Sequence, residues 1–219
     1  MKKRHLFIEG LLLLLPVFVL INPLSAQWQA LNVLTYDVSF PFGNTKGFSS
    51  TDMSWLGVSY QFRYILKPNL SVGAYMGLEV FHGEPIKTIE INQKDKFQGT
   101  ISGKQFRYIN TFPIMLGVHY YIGKEDGTRA FFGFNAGAMV IEEKIDIGLL
   151  ALKELKGHFA FAPEAGVMLP LGYNFNLLAS VRYNYAFSAG KSLSGDSSGH
   201  SYLSLNIGIS YLHTFSFSF

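Results

Sequence analysis

The sequence contains no cysteine. This absence excludes disulfide bonds, thiol catalysis and zinc sites built on cysteine, and it also excludes the lipidated cysteine of a lipoprotein. The class of protein must therefore be read from charge and from the pattern of apolar and polar residues.

Charged residues are also few, at 15% of the chain, whereas aromatic residues make up 16%. The formal net charge is +3, of which Lys2, Lys3, Arg4 and Glu9 together contribute +2. No basic stripe remains for nucleic acid, and we expect no nucleic-acid partner. Many aromatic residues and glycines with few charges fit a barrel, which faces lipid around its whole circumference, better than a soluble sandwich.

No long apolar run marks a transmembrane helix near the amino terminus. The stretch Leu11–Ile21 is shorter than the roughly 20 residues that a bilayer requires. It follows three basic residues and precedes the small pair Ser25 and Ala26, which is the organisation of a secretory signal peptide. We expect residues 1–26 to be a cleaved signal peptide and residues 27–219 to form one barrel domain. An uncleaved amino-terminal anchor is the alternative.

Almost perfect alternation of apolar and polar residues replaces the missing long runs, and it is clearest in the last residues of the chain. A strand has a side-chain period of two, so one face meets an apolar environment and the other a polar one. The apolar face carries Leu203, Leu205, Ile207, Ile209, Tyr211, Phe215, Phe217 and Phe219. The other face carries Ser204, Asn206, Gly208, Ser210, Thr214, Ser216 and Ser218.

The same pattern recurs along the chain and predicts an all-β fold, an eight-stranded antiparallel up-and-down transmembrane β-barrel. Eight is an even number, as closure of a single-chain bacterial barrel requires. The expected strands are 31–42, 54–66, 70–82, 105–122, 129–141, 158–170, 175–188 and 201–217.

The connections alternate between short and long, which is typical of periplasmic turns and extracellular loops. The tight turns carry Pro, Gly, Asn and Asp and lie at 67–69, 124–128 and 172–174. The long loops are 43–53, 83–104, 142–157 and 189–200. Within the third loop, the leucine spacing of residues 147–156 fits a short surface helix about as well as an extension of the neighbouring strands.

Parity along the strands places six charged or titratable residues in the lumen, together with many glycines. In a narrow barrel the glycines make room for larger inward side chains. A gated ion path, an acid/base pair and a structural salt-bridge plug are all compatible with the six residues, and the narrow lumen favours the plug. The expected lumen charge network is Asp37, Arg63, Glu79, His119, Glu164 and Arg182.

Two strand phrases resemble those of the small outer-membrane β-barrels of gram-negative bacteria, the OmpA/OmpW-type barrel. They are Thr111–Tyr121 (TFPIMLGVHYY) and Phe161–Val167 (FAPEAGV). The resemblance implies location in the cell outer membrane, and its members include stability proteins, adhesins, small-solute channels and a few lipid-modifying enzymes. It also implies a carboxy-terminal signal for the barrel assembly machinery, formed here by Tyr211, Phe215, Phe217 and Phe219.

An enzyme is the least favoured function. Some barrels of this size deacylate lipid A with a Ser/His/acid set, but no acidic residue on the final strand completes such a set, and the family motif is missing. The candidate residues are His200, Ser201, His213, Ser216 and Ser218. His82, His158 and His200 are too scattered to predict a metal site. We therefore expect no catalytic residue, no metal and no cofactor.

The preferred function is a structural or interaction role, with external loops that contact lipopolysaccharide, other envelope lipid or an unidentified protein partner. The second loop is mixed in charge with a basic lean, which fits lipopolysaccharide phosphates or a partner protein as well as a simply solvated loop. Its charged residues are Lys87, Glu90, Lys94, Asp95, Lys96 and Lys104. A small channel or carrier for small or apolar solutes is the alternative function.

The terminal aromatic residue gives the first testable expectation. Deleting Phe219 should reduce the amount of folded barrel in outer-membrane fractions, because the assembly machinery would lose part of its signal. The measurement is the yield of the heat-modifiable species on gels. Unchanged yield and mobility would show that Phe219 is not part of the signal.

Overall fold

The computed structural model describes residues 27–93, 97–124, 127–190, 193 and 199–216. The expected signal peptide and the last two residues of the expected assembly signal, Phe217 and Phe219, lie outside these ranges. The chain divides into a large compact unit, Gln29–His213, and a second unit formed by Met1–Trp28 and Thr214–Phe219. The barrel described below is the first unit.

Strands dominate the described residues. In chain order the elements are β1 (Gln27–Phe42), α1 (Gly43–Ser49), β2 (Ser54–Lys67), β3 (Leu70–Gly83), β4 (Ile86–Gln93), β5 (Phe97–Lys104), β6 (Phe106–Ile122), β7 (Arg129–Ile147), β8 (Leu150–Gly172), β9 (Phe175–Ala186) and β10 (His200–Ser216). None of the helical segments in the described part of the chain is long and apolar enough to cross a membrane.

Eight of the described strands close into a barrel in the order β1-β10-β9-β8-β7-β6-β3-β2. Consecutive barrel strands pair antiparallel, as in the β2–β3 and β8–β9 hairpins. The eight-stranded up-and-down fold predicted from the alternation is therefore confirmed. Among the described strands, β4 and β5 pair only with each other. They form a separate two-stranded sheet, which lies between β3 and β6 in the chain, whereas β3 and β6 pair directly in the barrel.

The long connections contain more regular structure than the sequence predicts. The range 83–104, expected as a loop, contains the paired strands β4 and β5, and the first loop contains α1. Between the two alternatives for residues 147–156, the structure has strand extension, with Ile147 opposite Leu150 across a turn that contains Gly148 at φ 58°. Burial of every second residue explains this outcome, since a strand turns alternate side chains to the same face and Glu143, Ile145 and Ile147 point inward.

The outward face of the barrel forms an apolar band. Side chains such as Leu116, Ile114 and Ile207 are more than 60% exposed, although they lie in the middle of their strands. The outward positions of the stretches 56–64, 72–80, 112–120, 130–140, 159–171 and 175–185 carry no Asp, Glu, Lys or Arg. A charge on this face costs on the order of 2–4 kcal/mol at the bilayer midplane. The exterior is therefore suited to lipid, and closure of the sheet pairs the strand backbones internally.

Inside the barrel, glycines face large side chains across the strands. His119 of β6 is opposite Gly133 of β7, and Gly117 is opposite Asn135. A β-carbon on Gly133 would lie 2.3 Å from His119 Cδ2, and one on Gly117 would lie 2.0 Å from Asn135 Oδ1. The inward glycines thus provide the volume that the buried imidazole and amide occupy.

Gly133→Ala should destabilise the barrel, because the added methyl group overlaps the His119 ring. Overpacking of this kind costs about 1–3 kcal/mol. The matched control is Gly157→Ala in the outer part of β8, where a β-carbon meets no atom within 4 Å. Urea unfolding from detergent should show a loss for the first variant and little change for the second. Equal effects would contradict the packing described here.

Candidate functional site

The lumen is built in layers, as β9 shows along its length. Leu178 belongs to an apolar cluster at the turn end, and Ala186 to an apolar cluster at the loop end. Between them Ser180, Arg182 and Asn184 face inward and are buried. A polar layer therefore lies between two apolar layers, and it contains the charged residues that parity assigns to the lumen.

Glu164 is the hub of this polar layer. It is directly opposite Arg182 in the β8–β9 register, as the position of the hairpin turn predicts. Glu164 Oε1 accepts a hydrogen bond of 2.7 Å from the Ser180 hydroxyl and one of 3.3 Å from Arg182 Nη2. Both members of the pair are enclosed, since their side chains have no solvent-accessible surface.

The other oxygen of Glu164 faces residues from across the lumen. Glu164 Oε2 accepts a hydrogen bond of 3.0 Å from Gln61 Nε2 and lies 3.5 Å from Arg63 Nη2. His119 Nε2 lies 3.6 Å from the same oxygen. One carboxylate thus connects β8 and β9 to β2 and β6, and the partners on β2 and β9 each satisfy part of its charge or hydrogen-bonding capacity.

Aromatic rings complete the surroundings of both arginines. The guanidinium carbon of Arg63 lies 4.5 Å from the centroid of Phe131, and that of Arg182 lies 4.2 Å from the centroid of Tyr75. A cation over an aromatic face is attracted by the ring quadrupole, and more strongly so when desolvated. The rings therefore fill the lumen and stabilise the buried cations.

The remaining two members of the expected network lie on the β1–β3 side. Asp37 Oδ2 is 3.7 Å from Arg182 Nη1, which is within ion-pair range but beyond a hydrogen bond. Glu79 accepts a hydrogen bond from Ser39 but has no ion-pair partner among the described residues. All six residues expected in the lumen are thus inward and buried; ion pairs join four of them, and His119 Nε2 lies 3.6 Å from Glu164 Oε2.

Parity alone does not show which uncharged residues complete the network. Gln61 and Ser180 supply hydrogen bonds to Glu164, and Ser59 accepts one from Arg182 Nη1 at 3.3 Å. Their inward position follows from strand alternation. Their contacts depend on the stagger of the barrel, which brings together residues about one hundred positions apart in the sequence, as Gln61 and Glu164 show.

A second polar cluster lies at the loop end and centres on His200. His200 Nε2 is 3.3 Å from Glu143 Oε1, and its Nδ1 is 3.3 Å from the Thr45 hydroxyl. The acid that the final strand lacks is therefore provided by β7. However, Thr45 is fully buried and its hydroxyl accepts a hydrogen bond from the Ser201 amide, so the cluster fastens α1 to the barrel.

His158 lies beside this cluster. His158 stacks edge-on against His200, with ring centroids 5.7 Å apart, and its Nδ1 is 2.7 Å from the Phe187 carbonyl oxygen. Across the described residues, no group of three or more His, Asp or Glu side chains is spaced to hold a metal ion. Of the hydroxyl candidates on the final strand, Ser218 lies outside the described residues.

The basic loop surface forms part of the β4–β5 hairpin. Lys87 and Glu90 lie on β4, whereas residues 94–96 lie outside the described ranges. Lys104, at the end of β5, contacts Glu84 at 2.5 Å. The hydrogen bond from this lysine holds the pKa of the Glu84 carboxyl below its ordinary value.

The hub predicts non-additive effects of substitutions at Glu164 and Arg182. Glu164→Gln and Arg182→Met should each destabilise the barrel by about 3–5 kcal/mol, because each leaves a buried charge without its main partner. The double variant should lose less than the sum of the two. Urea unfolding from detergent measures the three values.

A surface pair provides the control for this cycle. Lys153 Nζ lies 2.6 Å from Glu142 Oε2 beyond the apolar band, with the lysine side chain 58% exposed. Its coupling should be at most about 1 kcal/mol. Strict additivity of the Glu164 and Arg182 effects would mean that the two residues do not meet, and would refute the register.

Comparisons with known proteins place this fold among solved structures. No protein-family model matches the sequence, and no curated protein matches it either. The structure is similar to a major outer membrane protein from Thermus thermophilus, with a TM-score of 0.51 and 13% identity over 86% of this chain and 100% of that chain. At this identity the similarity shows the fold alone.

Two further solved barrels have lower scores. The N-terminal β-barrel domain of Pseudomonas aeruginosa OprF has a TM-score of 0.45 and 11% identity over 85% of this chain and 97% of that one. Escherichia coli outer membrane protein W has a TM-score of 0.45 and 16% identity over 84% of this chain and 96% of that one. The closed barrel, its apolar exterior and the Thermus similarity agree: the chain has the fold of the small eight-stranded outer-membrane β-barrels.

Proposed function

We propose that the protein is a non-enzymatic outer-membrane barrel with a closed lumen, and that its structural or interaction role is carried by its extracellular segments. The observation that supports this proposal is the complete burial of Arg63, Glu164 and Arg182 in the middle of the barrel. Side chains that bind each other across the lumen occupy the path that a solute would need.

The layers on either side of the network argue further against conduction. An ion would have to pass the turn-end cluster that contains Leu31, Val33 and Phe131, and then the loop-end cluster that contains Phe81 and Ile109. An apolar constriction offers an ion no replacement for its water shell. The charged layer therefore acts as a plug between two apolar layers. A channel or carrier is the less supported function.

The extracellular part of the barrel supplies a surface for interaction. β7 and β8 continue past the apolar band as a hairpin whose outward face carries alternating charges, with Lys144 bound to Asp146 at 2.6 Å and Lys153 bound to Glu142. Leu149 at the tip is fully exposed. Charges of both signs and an apolar tip suit contact with lipopolysaccharide phosphates or a protein partner.

Catalysis is not part of this proposal. The His200 cluster contains an acid, an imidazole and a hydroxyl, but the Thr45 hydroxyl is enclosed between α1 and β10. A nucleophile must reach its substrate, and an acyl chain in the membrane cannot reach this group from the lipid face. The cluster has a simpler role, which is to hold α1 against β10 through the hydrogen bonds of Thr45.

Planar-bilayer recording tests the closed lumen. Purified protein should give no steady current at moderate voltage, whereas a reconstituted wide porin in the same bilayers should conduct. Insertion is verified separately by recovery of folded barrel from the membrane. Steady, reproducible currents from the inserted protein would overturn the plug and favour the channel.

Lipid A analysis tests the absence of enzyme activity. Mass spectrometry should give the same lipid A species from cells with the gene, without it, and with a Thr45→Val variant. A species that is lost in both the deletion and the variant would overturn the non-enzymatic proposal. A change only in the deletion would point away from the His200 cluster as its source.

A further inference from the structure

Asp37 and Glu79 meet above a glycine, and the register explains how. Asp37 of β1 is opposite Gly57 of β2, which is opposite Glu79 of β3. A β-carbon on Gly57 would lie only 2.3 Å from Glu79 Oε2. The Glu79 side chain thus occupies the space above Gly57 and reaches β1, where Glu79 Oε2 accepts a hydrogen bond from Ser39, two residues from Asp37 on the same face.

Each of these carboxyl groups has one satisfied and one unsatisfied oxygen. Thr35 donates its hydroxyl to Asp37 Oδ1 at 2.6 Å, and Ser39 donates to Glu79 Oε2 at 2.8 Å. Asp37 Oδ2 and Glu79 Oε1 have no hydrogen-bond donor among the described residues. Both side chains are at most 1% exposed, so bulk water does not supply the missing donor.

The described cations of the lumen form ion pairs with other carboxyl groups than that of Glu79. Arg182 Nη1 faces Asp37 at 3.7 Å, and the Arg63 and His119 nitrogens face Glu164 at 3.5 and 3.6 Å. In the described part of the chain no Lys, Arg or His nitrogen comes within 4.0 Å of the Glu79 carboxyl group. Two adjacent buried carboxylates with a single cation, 3.7 Å from Asp37, are strongly disfavoured, because like charges repel and neither group reaches bulk water.

We propose that Asp37 and Glu79 hold a single proton between them. The O–H bond of one carboxyl group then donates to the carboxylate of the other, which supplies the donor that both groups lack. Two carboxyl groups that share one proton are known from acid/base pairs in which like charges lie too close for both to ionise. The pair carries one negative charge, and Arg182 faces it.

This arrangement balances the arginine and carboxyl charges of the polar layer. Arg63 and Arg182 contribute two positive charges, and Glu164 and the proton-sharing pair contribute two negative ones. The site suits a proton rather than a metal ion, since the described residues offer no set of three acidic or histidine ligands at suitable spacing. The space above Gly57 is also filled by Glu79 itself.

Infrared spectroscopy of the folded protein in lipid at neutral pH tests this proposal directly. A protonated carboxylic acid has a C=O stretching band separate from carboxylate bands, and it shifts on exchange into D₂O. We expect this band in the wild-type protein and its loss in Glu79→Gln. The matched control is Glu84→Gln, which removes an exposed carboxyl group bound to Lys104 and should leave the band unchanged.

Stability gives a second readout that does not depend on the band. A glutamine at position 79 is neutral and can donate a hydrogen bond to Asp37, so Glu79→Gln should change the unfolding equilibrium constant by about tenfold or less. Glu164→Gln removes an ionised hub and should change it by about a hundredfold or more.

Three results would overturn the shared proton. These are the absence of the carboxylic acid band in the wild-type protein, its persistence in Glu79→Gln, and a stability loss in that variant as large as in Glu164→Gln. The proposal goes beyond the closed-lumen function and can fail separately from it. Bilayer currents would overturn the plug but leave the infrared band unaffected.

Discussion

The structure depends on the electrostatic balance of a lumen that has room for side chains and for little else. Eight strands enclose a space that inward side chains fill. A charge placed there must therefore be paired or hydrogen-bonded by another residue of the same layer. Glu164 meets this requirement with contacts to Arg182, Arg63, Gln61 and Ser180. Because these partners come from different sides of the barrel, the carboxylate also ties the wall together across its interior.

The other features of the interior follow from this constraint. Glycines at positions 57, 117 and 133 leave the volume that Glu79, Asn135 and His119 occupy. Apolar clusters on either side separate the charged layer from bulk water, which strengthens its ion pairs and makes any unpaired charge costly. The filled lumen leaves the outside of the barrel for the function we propose, and there the β7–β8 hairpin extends beyond the apolar band.

Much of this arrangement could be predicted from the sequence, because strand parity and turn chemistry are local. Parity places all six network residues inward, and the turn near Tyr173 places Glu164 opposite Arg182. The contacts across the lumen could not be predicted, since the link between Gln61 and Glu164 depends on the stagger of the closed sheet. The same holds for Glu143, which lies on a different strand from His200. The β4–β5 hairpin was missed because residues 83–104 lack a clear apolar face.

The distance between Arg182 and Glu164 in a lipid bilayer tests the central claim most directly. Solid-state NMR recoupling between the guanidinium nitrogens of Arg182 and the carboxyl carbon of Glu164 should show direct contact, as expected for a nitrogen-to-oxygen distance of 3.3 Å. The coupling should remain with the protein fully hydrated, because apolar clusters close the polar layer on both sides. A coupling too weak for direct contact would mean that the lumen is hydrated and open, and would contradict the closed lumen that we propose.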